Sequence, residues 1–185
     1  SNTFNEHSTS KNTFKKLQSY FSKFNIQSSI DLDILDSYSR DWSNIPGYAD
    51  MLIKPKNSKE CAIIFQTCYS NKIPITISAG KTNLTGSATP NGGIVLSIEQ
   101  LTEPKIKVDN QLKEVTCPIG IPLENVRKKV LEESKKKLYY PVDPTSRNDA
   151  FVGGTLACNA SGFIPGEKGA TRYWVNEIEF LFPCG

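Results

Sequence analysis

Histidine is almost absent: the chain carries one, His7, in a polar N-terminal stretch. The body of the chain therefore supplies neither a histidine general base nor a histidine metal cluster. No apolar run approaches the roughly 20 residues needed to span a bilayer. The polar stretch from Ser1 to Lys16 lacks a hydrophobic region, so no signal peptide is visible, and the missing initiator methionine fits a processed start or a cut piece. The five cysteines are odd in number and never spaced as CxxC. That suggests neither a zinc site nor a disulfide framework, and points to reduced thiols in a cytoplasmic setting. Both familiar nucleotide loops, GxGxxG and GxxxxGK[ST], are missing. Net charge is +3, from 22 basic and 19 acidic residues, too small to argue for nucleic acid or a membrane surface. The basic runs Arg127-Lys128-Lys129 and Lys135-Lys136-Lys137 read as the solvated face of a helix and its exit.

What remains is an ordinary soluble composition, 38% hydrophobic and 22% charged, in 185 residues. That length supports one sizeable core or two small subdomains. Residues 1 to about 10 read as disordered. Phe14, Leu17, Phe21 and Phe24 then share one face of a helix, and Met51-Leu52-Ile53 before Pro55 reads as a short strand. Asn57 and Glu60 have capping-box spacing and open a helix whose buried stripe is Cys61, Ile64, Phe65, Cys68 and Tyr69. Both cysteines there read as packing. Ile73–Ile77 is the next strand, which makes a βαβ unit with parallel strands. Ile94–Ile98 is another strand. Ile106–Val108 and Glu114–Cys117 flank Asp109-Asn110-Gln111 as a hairpin. Pro122 sits at a first helical position, ahead of a face made by Leu123, Val126, Val130 and Leu131. Pro141-Val142-Asp143-Pro144 is extended, and Val175–Phe182 reads as a final strand.

Two stretches carry functional content. The first is Ser78-Ala79-Gly80-Lys81-Thr82-Asn83-Leu84-Thr85-Gly86, a loop of small residues entered directly from a strand. Small side chains let a ligand approach the main chain, and successive N–H groups there can form an anion-binding concavity. Lys81 adds a charge, and Thr82 and Thr85 add hydroxyls, so a phosphate or pyrophosphate is the matching ligand. A tight turn between strands would use similar residues, and the residues alone leave both readings standing. The second is Val152 to Gly162, which has almost no bulk. It can lay its backbone against a large flat ligand or make a close helix–sheet contact in the core.

Taken in order, Pro55 with the Asn57–Glu60 helix start, the 78–86 loop, Gly92-Gly93-Ile94-Val95-Leu96, Pro141-Val142-Asp143-Pro144, Gly153-Gly154 through Ala160-Ser161-Gly162, and Gly169-Ala170-Thr171-Arg172-Tyr173 through Gly185 resemble a known family. It is the FAD-binding domain of the vanillyl-alcohol oxidase/p-cresol methylhydroxylase (PCMH) superfamily, nearest the D-lactate dehydrogenase and glycolate oxidase subunit branch. The match covers roughly residues 38–185, behind an N-terminal extension with one helix over 1–37.

The resemblance implies an α+β domain of two subdomains, a small parallel βαβ sheet and a larger, mostly antiparallel one. FAD would lie between them. Ser78, Ala79, Gly80, Lys81, Thr82, Asn83, Thr85 and Gly86 would hold the pyrophosphate. Pro141, Gly153, Gly154, Ala157, Ser161 and Gly162 would line the adenosine and flavin ends, with the main chain near Phe180 at the adenine edge. It implies no catalytic residue and no metal in this chain. A small 2-hydroxy acid or related alcohol would give hydride to the flavin while a base elsewhere takes the proton. Substrate and electron acceptor would be met through a substrate domain expected after residue 185 or a partner subunit, leaving this piece alone inactive. The alternative is a non-catalytic FAD- or nucleotide-binding module that needs a partner chain.

This chain departs from relatives in places. Many have Arg-Gly-Gly-Gly where it has Ser78-Ala79-Gly80-Lys81, which removes one permissive backbone position, and Lys168-Gly169 replaces Tyr-Gly. Covalent members of the superfamily tether flavin through a first-loop histidine, sometimes with a cysteine before the second segment. Thr82 stands at the first place and no cysteine lies in 143–152, so FAD is expected to be non-covalent.

Overall fold

The computed structural model describes residues 3–185, with side chains from Asn12 onward. The His7 side chain and residues 1–2 lie outside that description. The chain forms two units, one of residues 1–100 with 181–185 and the other of 101–180.

The first unit opens with helix α1, Thr3–Ser22, so helix covers most of the stretch expected to lack structure. Phe14, Leu17 and Phe21 are buried, as their spacing requires. Phe24 lies beyond the helix end, exposed, with its ring edge-on to Tyr20. Strand β1 (Gln27–Ser29) and the short helix α2 (Leu32–Asp36) follow, in a segment whose mixed composition marked neither. Asp31 starts α2 by accepting the Asp33 N–H.

Strand β2 (Met51–Lys54), helix α3 (Ser58–Ser70), strand β3 (Ile75–Ser78) and strand β4 (Ile94–Ser97) complete the unit. The sheet order is β1-β2-β4-β3, with β4 parallel to both β2 and β3 and β1 antiparallel at the edge. The βαβ crossover therefore leaves a gap that β4 fills. β2 and β4 read as continuous apolar runs because both faces are covered. Leu52 and Val95 pack with Leu35, Tyr38 and Ala49 on one face. Met51, Ile53, Ile94 and Leu96 alternate to the other face and are also buried.

The capping box at α3 forms as its spacing predicts. Asn57 Oδ1 accepts the Glu60 N–H at 3.0 Å, and Glu60 Oε2 accepts the Lys56 N–H at 2.8 Å. Ile64 and Cys68 are buried along α3, and burial pushes the Cys61 and Cys68 thiols up to about 11. β3 starts two residues later than its apolar run suggests. The Ile73 N–H instead closes the end of α3 on the Cys68 carbonyl, and Pro74 has no N–H to give.

In the second unit, β5 (Lys107–Asp109) and β6 (Glu114–Thr116) form the expected antiparallel hairpin. Its turn is tied by Asp109 Oδ1, which accepts the N–H groups of Gln111 and Leu112. Helix α4 (Leu123–Glu133) covers the hairpin with Leu123, Val126 and Val130, while Leu131 faces outward. Pro122 is the residue before the first helical turn rather than its first member, with extended ψ of 138°. The first N–H groups of α4 bond to the carbonyls of Ala150 and Arg147. Part of the small-residue segment, Val152–Ala157, forms a further helix, α5, which its two glycines disguised. Val175–Phe182 does not take strand conformation, and Val175, Ile178 and Phe180 are exposed. An apolar run becomes a strand only where a partner takes its N–H and C=O groups.

Replacing Asn57 with alanine removes the α3 cap and should cost about 1 kcal/mol of unfolding free energy. Urea denaturation measures this, and an unchanged midpoint would show that the cap contributes nothing.

Candidate functional site

Because β2, β4 and β3 run parallel, their carboxyl ends line up on one edge of the sheet, the edge where open α/β sheets take ligands. Ser78 of β3 is in register with Ser97 of β4, and Ile53 with Leu96, so Lys54, Ser97 and Ser78 form a row. Glu99, two residues past β4, gathers the row. Its carboxylate accepts from Lys54 Nζ at 2.5 Å, Tyr38 Oη at 2.8 Å and Ser97 Oγ at 2.9 Å. Burial pushes the Glu99 carboxyl up, but the bonds from Lys54, Tyr38 and Ser97 outweigh it and hold it below the usual carboxylate range. Burial and the bond to Glu99 raise the Tyr38 phenol.

The 78–86 loop leaves β3 beside this cluster. Among the described residues, the consecutive N–H groups of Ala79, Gly80, Lys81 and Thr82 meet no acceptor. Ser78 Oγ is buried and also has no partner. Asn83 braces the loop from inside. Its Oδ1 accepts from the Thr85 N–H and hydroxyl, both at 2.7 Å, and its Nδ2 donates to Ser87 Oγ at 2.6 Å. Thr85 thus spends its hydroxyl within the loop, whereas the Thr82 hydroxyl has no described partner. Gly86 sits at φ +77°, and a Cβ there would lie 2.8 Å from Ile45 Cδ1.

Lys81 behaves differently from the sequence expectation. Its φ is +57°, so the left-handed conformation persists although the residue is not glycine. Its ammonium donates to the Ser37 carbonyl at 2.7 Å and lies 4.5 Å from the centre of the Tyr38 ring. Burial lowers its pKa, with Glu99 opposing. The side chain turns in toward the protein, and the loop's donors are its main-chain N–H groups.

In the second unit, the Val152 and Gly153 N–H groups bond to the carbonyls of Ile121 and Ile119. Gly153 therefore offers a missing side chain rather than a free donor. Gly154 is half-buried, and Ala157 and Ser161 are exposed. A Cβ on Gly162 would lie 2.5 Å from the Asp143 nitrogen, so the structure brings the Pro141–Asp143 segment against Ser161-Gly162. Asp143 is fixed to α4 by a closed set of charges: Arg147 donates to it at 2.7 Å, Arg127 lies at 3.5 Å, and both arginines also reach Glu124. Phe180 is 65% exposed. Among the described residues no group of three or more His, Cys, Asp or Glu side chains could hold a metal ion.

Tyr38, Lys54 and Glu99 were not singled out from the sequence. The available signal was positional, since Lys54 ends β2 and Glu99 follows β4.

The sequence profile of the FAD binding domain family matches residues 49–185. A D-2-hydroxyglutarate dehydrogenase of Xanthomonas citri pv. viticola is 32% identical over 154 residues, 82% of this chain and 32% of that protein. A D-lactate dehydrogenase of Anaerostipes hadrus is 30% identical over 156 residues, 83% of this chain and 32% of that one. The glycolate oxidase subunit GlcD of Bacillus subtilis is 30% identical over 138 residues, 74% of this chain and 28% of the subunit. Among solved structures, an alkyldihydroxyacetonephosphate synthase superposes with a TM-score of 0.67 at 17% identity, over 80% of this chain and 29% of the synthase. The chain belongs to the FAD binding domain family, and its fold is the α+β, PCMH-type fold. It spans about a third of the length of the curated relatives it matches.

The depressed Glu99 pKa has a sign that can be tested. A carboxyl favoured as the anion in the folded state adds stability above its unfolded pKa, about 4.3, and loses it as pH falls through the folded value. Unfolding free energy should therefore drop more steeply on acidification in the wild type than in Glu99→Gln. Identical acid limbs in urea titrations would show that the three bonds do not favour the ionised form.

Proposed function

We propose that this chain is the FAD-holding part of an oxidoreductase that oxidises a small 2-hydroxy acid or a related alcohol. The observation that carries this reading is the run of four unbonded N–H groups, Ala79 to Thr82, at the carboxyl edge of a parallel sheet in a chain of an FAD-binding family. A pyrophosphate needs main-chain donors with no bulk in front of them, and the loop supplies both. Ser78, with its buried hydroxyl unpartnered, and the Thr82 hydroxyl add donors beside the run. Asn83, Thr85 and Gly86 hold its curvature, and Lys81 contributes its N–H.

In the second unit, Pro141, Gly153, Gly154, Ala157, Ser161 and Gly162 line the adenosine and flavin ends by offering backbone and small side chains, with the main chain near Phe180 at the adenine edge. Bound FAD supplies the acceptor for a hydride leaving the substrate carbon. The substrate class follows the relatives, named for D-2-hydroxyglutarate, D-lactate and glycolate. Residues 38–185 form the cofactor domain behind a helical extension. Substrate contacts, the proton-accepting base and the electron acceptor come from outside these residues, in further length of the protein or a partner subunit, so this stretch alone turns nothing over. Five cysteines in no disulfide suit a reducing compartment such as the cytoplasm.

The loop assignment predicts that Gly86→Val, which puts a β-branched residue at positive φ against Ile45, weakens FAD binding tenfold or more, about 1.4 kcal/mol. Flavin fluorescence titration of the full-length protein reads this out, and unchanged affinity would remove the loop from the site.

Non-covalent attachment follows because a tether needs a nucleophilic side chain at the flavin edge, and Thr82 and residues 143–152 offer none of the tethering types. After acid precipitation of the flavin-loaded protein, the yellow colour should stay in the supernatant. Flavin in the washed pellet, with a matching mass increase on the intact chain, would overturn this.

A further inference from the structure

The residues just ahead of the family-matched region hold the 79–88 loop from both ends. At its start, the Trp42 N–H donates to the Lys81 carbonyl at 3.1 Å, while the Lys81 ammonium grips the Ser37 carbonyl and the Tyr38 ring. At its close, Asp41 Oδ2 accepts the Ala88 N–H at 3.3 Å, and Ile45 lies against Gly86. Asp41 is 4% exposed, and no lysine or arginine pairs with it among the described residues. A buried carboxylate without a cation is costly unless its oxygens are well bonded. Here one oxygen closes its own turn on the Ser43 N–H at 2.9 Å, and the other reaches 47 residues along the chain to Ala88. The arrangement makes sense as a device that fixes one segment to another. Residues 37–45 stand ahead of the family profile, which starts at residue 49.

We propose that residues 37–45 are a clamp that sets the shape of the 79–88 loop, with Asp41 and Lys81 as its positioning residues, Lys81 acting inward on Ser37 and Tyr38 and not on the ligand's phosphates. The proposal rests on the reading that this loop holds the FAD pyrophosphate. The clamp keeps the Ala79–Thr82 N–H groups pointed at one place before the ligand arrives, which reduces the ordering cost of binding.

The test uses the full-length protein stripped of flavin and titrated with FAD. Asp41→Asn keeps size and one acceptor oxygen but loses the second anion oxygen. Lys81→Met keeps the aliphatic stem and loses the charge. Each should raise the dissociation constant about tenfold. Lys81→Met made in a Tyr38→Leu background should add less than about twofold, because both changes remove the same anchor. Hydrogen exchange supplies a second readout on the near-isosteric Asp41→Asn. The Ala88 amide and those of the loop should exchange faster while the β4 amides do not change. Gly80→Val serves as the control for the loop itself.

If Gly80→Val binds FAD normally, the loop reading fails. If Gly80→Val binds poorly while Asp41→Asn and Lys81→Met bind as the wild type does, the loop reading stands and the clamp is overturned. An equal loss from Lys81→Met in both backgrounds would mean that the ammonium meets the ligand directly. Faster exchange across β4 as well as the loop would make Asp41 a general stability residue and not a clamp.

Discussion

A half-buried carboxylate stays ionised only if donors replace the water it has lost, and Glu99 draws two of its three from distant parts of the chain. Lys54 ends one strand, Ser97 ends another, and Tyr38 follows a short helix 61 residues upstream. The Tyr38 ring then becomes the surface against which Lys81 rests. A chain of contacts thus runs from the end of β4 through Tyr38 to the first turn of the candidate loop. Without Glu99, the Tyr38 hydroxyl and the Lys54 ammonium would each have to find new partners in a partly desolvated place.

The same bookkeeping of donors and acceptors separates the two small-residue segments. In the second, the N–H groups that open α5 are already bonded to a neighbouring extended stretch, and Thr171 takes the Ala160 carbonyl with both its N–H and its hydroxyl. Its small residues therefore serve close approach, as Gly162 shows against Asp143. In the first, four successive N–H groups are left over. Backbone donors are rarely left unpaired without reason. Two stretches that look alike in composition differ in what they have left to give.

How much of this was legible depended on whether the signal was local. The α3 cap, the β5–β6 turn and the strands β2 and β4 rest on contacts between residues near in sequence or on runs of apolar side chains, and each stood where its pattern placed it; of the expected α3 stripe Ile64 and Cys68 are buried, whereas Tyr69, in the last turn, is 65% exposed. The 78–86 loop was visible through its small residues. What failed was non-local. Val175–Phe182 has the composition of a strand but does not take strand conformation, α5 was hidden because two glycines lower helix propensity without forbidding a helix, and β1 with α2 exists because β2 and Tyr38 give it something to pack on. Lys81 was read as a ligand contact because a lysine in a small-residue loop suggests one. Only the position of Ser37 and Tyr38, more than 40 residues away in sequence, shows that the ammonium is engaged elsewhere.

Position 81 also shows why losing a glycine need not mean losing the backbone shape that glycine permits. A non-glycine residue in the left-handed region costs about 1–2 kcal/mol, and ordering a lysine side chain costs up to about 2 kcal/mol more. Against this stand a charge-assisted hydrogen bond of about 1.5–3 kcal/mol and an ammonium–aromatic contact of about 0.5–2 kcal/mol. The two sides nearly cancel, so the substitution is tolerable without being a gain in stability. Its effect lies in selection among conformations. A glycine at 81 could visit several regions of φ and ψ with similar ease. A lysine whose side chain is already held by Ser37 and Tyr38 reaches both partners from the one φ seen, +57°. This chain specifies that turn through a side chain, and the loop's free N–H groups inherit the orientation.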